Sequence, residues 1–236
     1  VLHSQPLVVK YVYPGGEGRS MVFFGSNDGM LHEVLDEFDP DVDDDSDMII
    51  HHGTEAWAFI SPDQLPRLKD IVEGASHQYF VDASPQAYFR DVNGNGILEE
   101  NVDSDGDGDI DSDDKDRIII VCGQRKGGTS YFALDVTDYS SPQFLWRIST
   151  DSAFSPDVVI GDLGESWSEP RFGKVKTSDS DATGTPVFFI GGGFSADNTA
   201  GKAVLAINVL TGAVVKKFHN DGYANTDMNY SIPSTV

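Results

Sequence analysis

The chain has 236 residues, 39% of them hydrophobic, enough for one large domain or two small ones with a substantial core. Its net charge of -23 is concentrated, because residues 36–47 and 91–116 hold 8 and 11 of the 39 acids, leaving 20 elsewhere against 16 basic residues in all. Two acidic stretches and no basic stripe exclude nucleic acid as a partner. No membrane span is encoded, since no run of 18 apolar residues occurs, and no signal peptide opens the segment.

In chain order, a repeat emerges. Each unit opens on Ser-x-Pro or a close variant: Ser4-Gln5-Pro6, Ala83-Ser84-Pro85, Ser168-Glu169-Pro170 and Ser231-Ile232-Pro233. An apolar run ending in glycine follows, as Met21–Gly25, Ile118–Gly123 and Val187–Gly191, then an alternating strand, as Met30–Leu35, Tyr131–Val136 and Val204–Val209. A fourth strand closes each unit, at Glu55–Ile60, Gln143–Ile148 and Ala213–Phe218. Four short strands per unit, repeated, predict an all-β fold: a partial β-propeller of about three four-stranded antiparallel blades plus the first strand of another. The blades fall at about residues 4–80, 82–150 and 168–220, with a fourth starting at about 230–236. Three blades cannot close a ring, so the chain is expected to be a piece of a longer propeller, or a partner or a further segment is expected to supply the rest.

A short helix is predicted from Pro62 to Val72, capped by Ser61, with Leu65, Leu68 and Val72 on one face. The single cysteine, Cys122, lies in an apolar run, so it reads as a buried free thiol and no internal disulfide is possible. Trp57 and Trp146 occupy equivalent fourth-strand places and read as packing between blades. The recurring serines Ser4, Ser168 and Ser231 read as structural groups rather than nucleophiles. Gly123–Thr129 lacks the Lys-Ser/Thr pair of a phosphate loop and reads as a strand turn, and His51-His52 as a solvated pair.

The surplus length of the first two units lies in inserted acidic loops. In Asp103–Asp114, carboxylates at Asp103, Asp105, Asp107, Asp111 and Asp114 take loop positions 1, 3, 5, 9 and 12, Gly108 stands at position 6, and Asp109 offers a carbonyl. This is the spacing of a twelve-residue EF-hand-like calcium loop. Carboxylates about 5 Å apart in water repel by roughly 0.8 kcal/mol a pair, so a divalent cation orders such a segment. Hard oxygen donors without His or Cys suit Ca²⁺; the alternative is a solvated acidic run. A possible second site comprises Asp91, Asn93, Asn95, Ile97 and Glu99, but Val102 stands where the closing carboxylate belongs, and a metal-free Asn-Gly turn is the alternative. A third run, Asp39–Asp47, has no turn glycine and is expected to bind ions weakly if at all.

The glycine-bounded strands resemble quinoprotein-type propeller repeats, and four phrases narrow the likeness: Gly25–His32, Gly53–Ile60, His77–Asp82 and Gly127–Asp138. Together they resemble the C-terminal propeller of the PilY1 family of type IV pilus tip and assembly proteins. The resemblance implies an exported, extracellular or surface protein without catalytic activity that works with minor pilins in pilus (fimbrium) biogenesis, adhesion to host or abiotic surfaces, and twitching motility, with calcium linked to extension and retraction. The family's best-known calcium loop belongs to a blade that would follow Val236, so the loops here are read on their own spacing. Two alternatives stand beside this: a calcium-dependent, lectin-like extracellular module unrelated to pili, and a quinoprotein dehydrogenase, disfavoured because one cysteine cannot form the vicinal disulfide common beside the quinone.

Overall fold

A computed structural model describes residues 3–16, 18–36, 53–74, 77–99, 103, 115–152, 157–179, 183–219 and 228–236. The chain is all-β, in three sheets laid down one after another. The first is a meander of β1 (Leu7–Val12), β2 (Gly18–Gly25), β3 (Met30–Leu35) and β4 (Glu55–Ile60), antiparallel throughout. The second comprises β5 (Gln86–Arg90), β6 (Arg117–Gly123), β7 (Tyr131–Asp135) and β8 (Gln143–Ser149) in the same order, with a short fifth strand, β9 (Asp157–Val159), added parallel to β8. The third is β10 (Arg171–Val175), β11 (Thr185–Gly191), β12 (Ala203–Asn208) and β13 (Val214–His219). Each sheet carries a register shift between its third and fourth strands.

The middle sheet is covered on both faces, which explains its unbroken apolar strands. Ile118, Ile120, Cys122, Phe132 and Leu134 face the first sheet and pack with Tyr11, Phe23 and Leu31. Their alternates Ile119, Val121, Tyr131 and Ala133 face the third, against Phe188, Ile190, Leu205 and Ile207. Successive residues of a strand point to opposite faces, so a strand between two layers has no polar face to offer.

The tryptophans of the fourth strands join neighbouring sheets. Trp57 Nε1 donates to the Tyr139 carbonyl (2.8 Å) and Trp146 Nε1 to that of Val209 (2.9 Å), each acceptor lying in the turn after the third strand of the following sheet. Trp146 also stacks on Phe188 with ring centroids 5.6 Å apart.

The glycine that ends each second strand is a second joint. A Cβ on Gly25 would lie 2.4 Å from the Val81 carbonyl oxygen, on Gly123 2.8 Å from that of Ser166, and on Gly191 2.2 Å from that of Ile232. Only hydrogen fits there, because the chain entering the next unit runs against the strand end. The same glycines are held within their own sheets: Gly25 N–H donates to Ser4 Oγ and Gly191 N–H to Ser168 Oγ, both at 2.9 Å. These contacts fix the repeat's register. Gly25 abuts the carbonyls of Val81 and Ala83, and Gly191 those of Ile232 and Ser234. The amide of Gln5 donates to Ser84 Oγ and that of Glu169 to Thr235 Oγ1. Ser234, not Ser231, therefore takes the place of Ser168; proline alone misleads, because Pro233 stands where Trp167 does.

The predicted helix is shorter than expected. Residues Leu65–Arg67 form one 3-10 turn and Leu68–Glu73 a six-residue helix, α1, without a side-chain cap; Ser61 instead donates its hydroxyl to Asp63. Pro66 has no N–H for an α-helical bond, so regular helix starts only beyond it. Val72 is 87% exposed, and no residue of α1 is buried.

Candidate metal loop and buried polar groups

The stack has two unlike rims. One carries the second-to-third-strand hairpins and the segments between sheets; the other carries the remaining strand-to-strand connections, among them the described Asp91–Glu99 coil. Of the Asp103–Asp114 loop, Asp103 is described and exposed; Asp105, Asp107, Asp109, Asp111 and Asp114 lie outside the described residues, as do His51-His52 and residues 39–47.

The Asp91–Glu99 loop is described in full, and β5 leads directly into it. Asp91 Oδ1 accepts the N–H groups of Gly94 (2.6 Å) and Asn95 (3.2 Å), and Oδ2 that of Gly96 (2.7 Å). Asn93 and Asn95 each accept an N–H two residues on, from Asn95 (3.1 Å) and Ile97 (2.7 Å). Both carboxamides donate to Glu99 Oε2, at 2.7 and 2.8 Å. Gly94 and Gly96 adopt φ of 73° and 75°, conformations that side-chain-bearing residues resist. The sequence-predicted residues Asp91, Asn93, Asn95 and Glu99 are thus brought together in one exposed coil, closed without a position-12 ligand.

Asp116 was not legible as part of this loop. Buried just before β6, it accepts the N–H of Val92 on Oδ1 (2.8 Å) and of Glu99 on Oδ2 (2.9 Å), while its own N–H donates to the Glu99 carbonyl (3.1 Å). One carboxylate clamps both ends of the coil. The Leu98 N–H donates to the Val12 carbonyl (2.7 Å), docking the loop on the first sheet above a cavity of about 230 Å³ lined by Val12, Phe89, Ile97 and Leu98. The donor set, two carboxylates and two carboxamides, is all oxygen and suits Ca²⁺ rather than a transition metal. Among the described residues no three His, Cys, Asp or Glu side chains are grouped to hold a metal.

Two further polar clusters and one isolated carboxyl lie inside or across the sheets. Arg147, 1% exposed, donates its Nε to Asp157 Oδ1 (2.9 Å) and its Nη2 to Asp157 Oδ2 (2.7 Å), with Asp63 within 3.4 Å; this pair pins β9 to β8. His32 lies between Asp28 and Glu55, with Nε2 2.9 Å from Asp28 Oδ2 and Nδ1 2.6 Å from Glu55 Oε2, so each ring nitrogen faces a carboxylate oxygen. Glu33 points between the first two sheets, 0% exposed, and neither carboxyl oxygen has a hydrogen-bond partner among the described residues. Burial, reinforced by the negative charge of Asp138, pushes its carboxyl up to about 8. Burial likewise pushes the Cys122 thiol well above its ordinary value, and no disulfide is formed.

No protein-family model matches the chain. It is 28% identical over 219 residues to the type IV pilus biogenesis factor PilY1 of Pseudomonas aeruginosa strain PAO1, which covers 90% of this chain and 14% of that protein. A PilY1 homolog of Xylella fastidiosa is 30% identical over 208 residues, covering 86% of this chain and 13% of that one. The crystal structure of the P. aeruginosa PilY1 C-terminal domain superposes with a TM-score of 0.50 and 25% identity, over 88% of this chain and 31% of that domain. The chain spans about a seventh of the length of these relatives. Along nine-tenths of its residues, then, it is homologous to PilY1, and in structure it is similar to part of the PilY1 C-terminal domain.

Proposed function

We propose that the chain is a β-propeller segment of an exported, pilus-associated protein that acts without catalysis in type IV pilus assembly, adhesion and twitching motility, and that Ca²⁺ orders the acidic loop inserted in its second unit. One observation carries the pilus assignment: the likeness to proteins named type IV pilus biogenesis factors extends over nearly the whole chain. The propeller reading is supported by three successive four-stranded meanders packed face to face, and by the recurring glycine joint between each sheet and the next unit.

The calcium reading is supported by the spacing of Asp103–Asp114 and the coil at Asp91–Glu99. Bound there, Ca²⁺ would neutralise facing carboxylates and fix the loop backbone. Asp91 offers carboxylate oxygens while its turn-forming bonds persist, and Asn93 and Asn95 present carbonyl oxygens after a carboxamide rotation that releases Glu99. Asp116 holds the coil's ends in place without serving as a ligand. Minor pilins, and host or abiotic surfaces, are the partners this rim would meet.

Two measurements test the reading. Ca²⁺ should raise the melting temperature of the chelator-treated chain, and the rise should shrink on replacing Asp105 and Asp107 by Ala; an unchanged shift places the ion elsewhere. Deleting the region from its full-length protein should reduce surface piliation or pull-down of minor pilins; wild-type piliation and pull-down together would refute the pilus assignment in favour of a calcium-dependent binding module of other purpose.

A further inference from the structure

The rim opposite the acidic loops bears a cleft of about 510 Å³ lined by Tyr79, Lys126, Glu165, Trp167, Phe194 and Pro233. These residues come from every inter-sheet segment and from two hairpins, laced together by backbone bonds. Glu165 and Phe194 exchange N–H···O bonds at 2.7 and 2.9 Å, the Gly164 N–H donates to the Gly192 carbonyl (2.8 Å), and the Gly193 N–H to that of Ile232 (3.0 Å). The floor is a built surface rather than a gap between loose loops. A second hollow of about 430 Å³ adjoins it across Trp167 and Pro233 and carries polar groups, among them Glu169 and Ser234.

The side chains are held in place before any ligand arrives. Trp167 Nε1 donates to Glu165 Oε2 (2.8 Å), and Trp167 meets Phe194 edge-to-face with centroids 6.2 Å apart. The Arg125 guanidinium lies 4.6 Å from the Trp167 ring centre and Lys126 Nζ 4.9 Å from that of Tyr79. Phe194 is 39% exposed.

We propose that this cleft is a saccharide subsite that takes a neutral pyranose ring, with a second ring reaching the polar hollow. Apolar ring carbons of a sugar pack on aromatic surface, while fixed carboxylate and ammonium groups at its edge accept from and donate to neighbouring hydroxyls. A cationic ligand is disfavoured because Arg125 and Lys126 already lie over two of the aromatic rings. An extended peptide adding as a strand is disfavoured because the backbone groups of the floor are paired with one another. The cleft stands apart from the Asp91–Glu99 coil, which lies on the other rim.

Saturation-transfer NMR and calorimetry with cellobiose, lactose and N,N′-diacetylchitobiose, in chelator and in Ca²⁺, test it. Saturable binding of at least one disaccharide is expected in both buffers. It should weaken at least about tenfold in Trp167→Ala, stay within about threefold in Trp167→Phe, and weaken in Glu165→Ala more than in Glu165→Gln, with melting temperatures unchanged. Absence of saturable binding by all three sugars, binding indifferent to Trp167→Ala, or saturation by a proline-rich peptide in place of the sugars would overturn it.

Discussion

Glu33 offers a test of how the first two sheets pack. Its carboxyl, held up to about 8 when folded against 4.5 as the ordinary value, keeps its proton in the native state over a range where the unfolded chain has released it. For an acid raised on folding, stability is full below pH 4.5, falls as pH rises through the window to about 8, and is level beyond. A shift of that size amounts to about 5 kcal/mol across the window, with a slope approaching ~1.4 kcal/mol per pH unit. Glu33→Gln removes the titration while keeping the shape. Urea unfolding of both proteins from pH 5 to 9 gives their stability difference, in which contributions from the other acids cancel. The variant should gain on the wild type by several kcal/mol between the ends of that range. Glu33→Met, with no polar group to strand, should show the same pH trend if the carboxyl is the cause. A difference that stays flat with pH would mean that Glu33 is ionised or solvated in the fold, and that the two sheets are not sealed around it.

Other expectations follow from the joints and clamps. Gly191→Ala would place a Cβ 2.2 Å from the Ile232 carbonyl oxygen and Gly25→Ala one 2.4 Å from that of Val81, so each should lower stability by at least about 1–3 kcal/mol in denaturant unfolding. Gly53→Ala, where the space is open, should cost about 1 kcal/mol through its positive φ alone. Asp116→Ala leaves the Val92 and Glu99 amides without their acceptor, which should cost about 1–3 kcal/mol and speed hydrogen exchange at those two amides. Cys122 should resist alkylation in the native chain and react at once in denaturant, as mass spectrometry would record.

The second, third and fourth strands of each unit were legible because the middle sheet is apolar on both sides and its neighbours alternate, so hydrophobic periodicity marked them. The Asp91–Glu99 coil was legible because its interacting side chains lie within nine consecutive residues. What escaped notice depends on distant partners. Glu33 sits in an alternating strand, and nothing local tells that the next sheet buries it. Arg147 is intelligible only once Asp157 has folded back beside it, and three residues of β9 are too few to show a period. Asp116 looked like one more acid of the insertion, although its two bonds set where that insertion begins and ends. The cleft residues come from turns dozens of positions apart, which no spacing rule joins.

The glycine joints bear on where such a protein can be divided. Because Gly25 is sealed by Val81 and Ala83, and its partner Ser4 stands ahead of β1, the first repeat is complete only when the chain has passed Pro85. A fragment stopped at Ile60, where the fourth strand finishes, would leave the Gly25 end of β2 bare. Cuts placed just past Pro85 or Pro170 keep the glycine joints but still give up the tryptophan's acceptor in the following sheet, Tyr139 for Trp57 and Val209 for Trp146, so neighbouring repeats are best kept together.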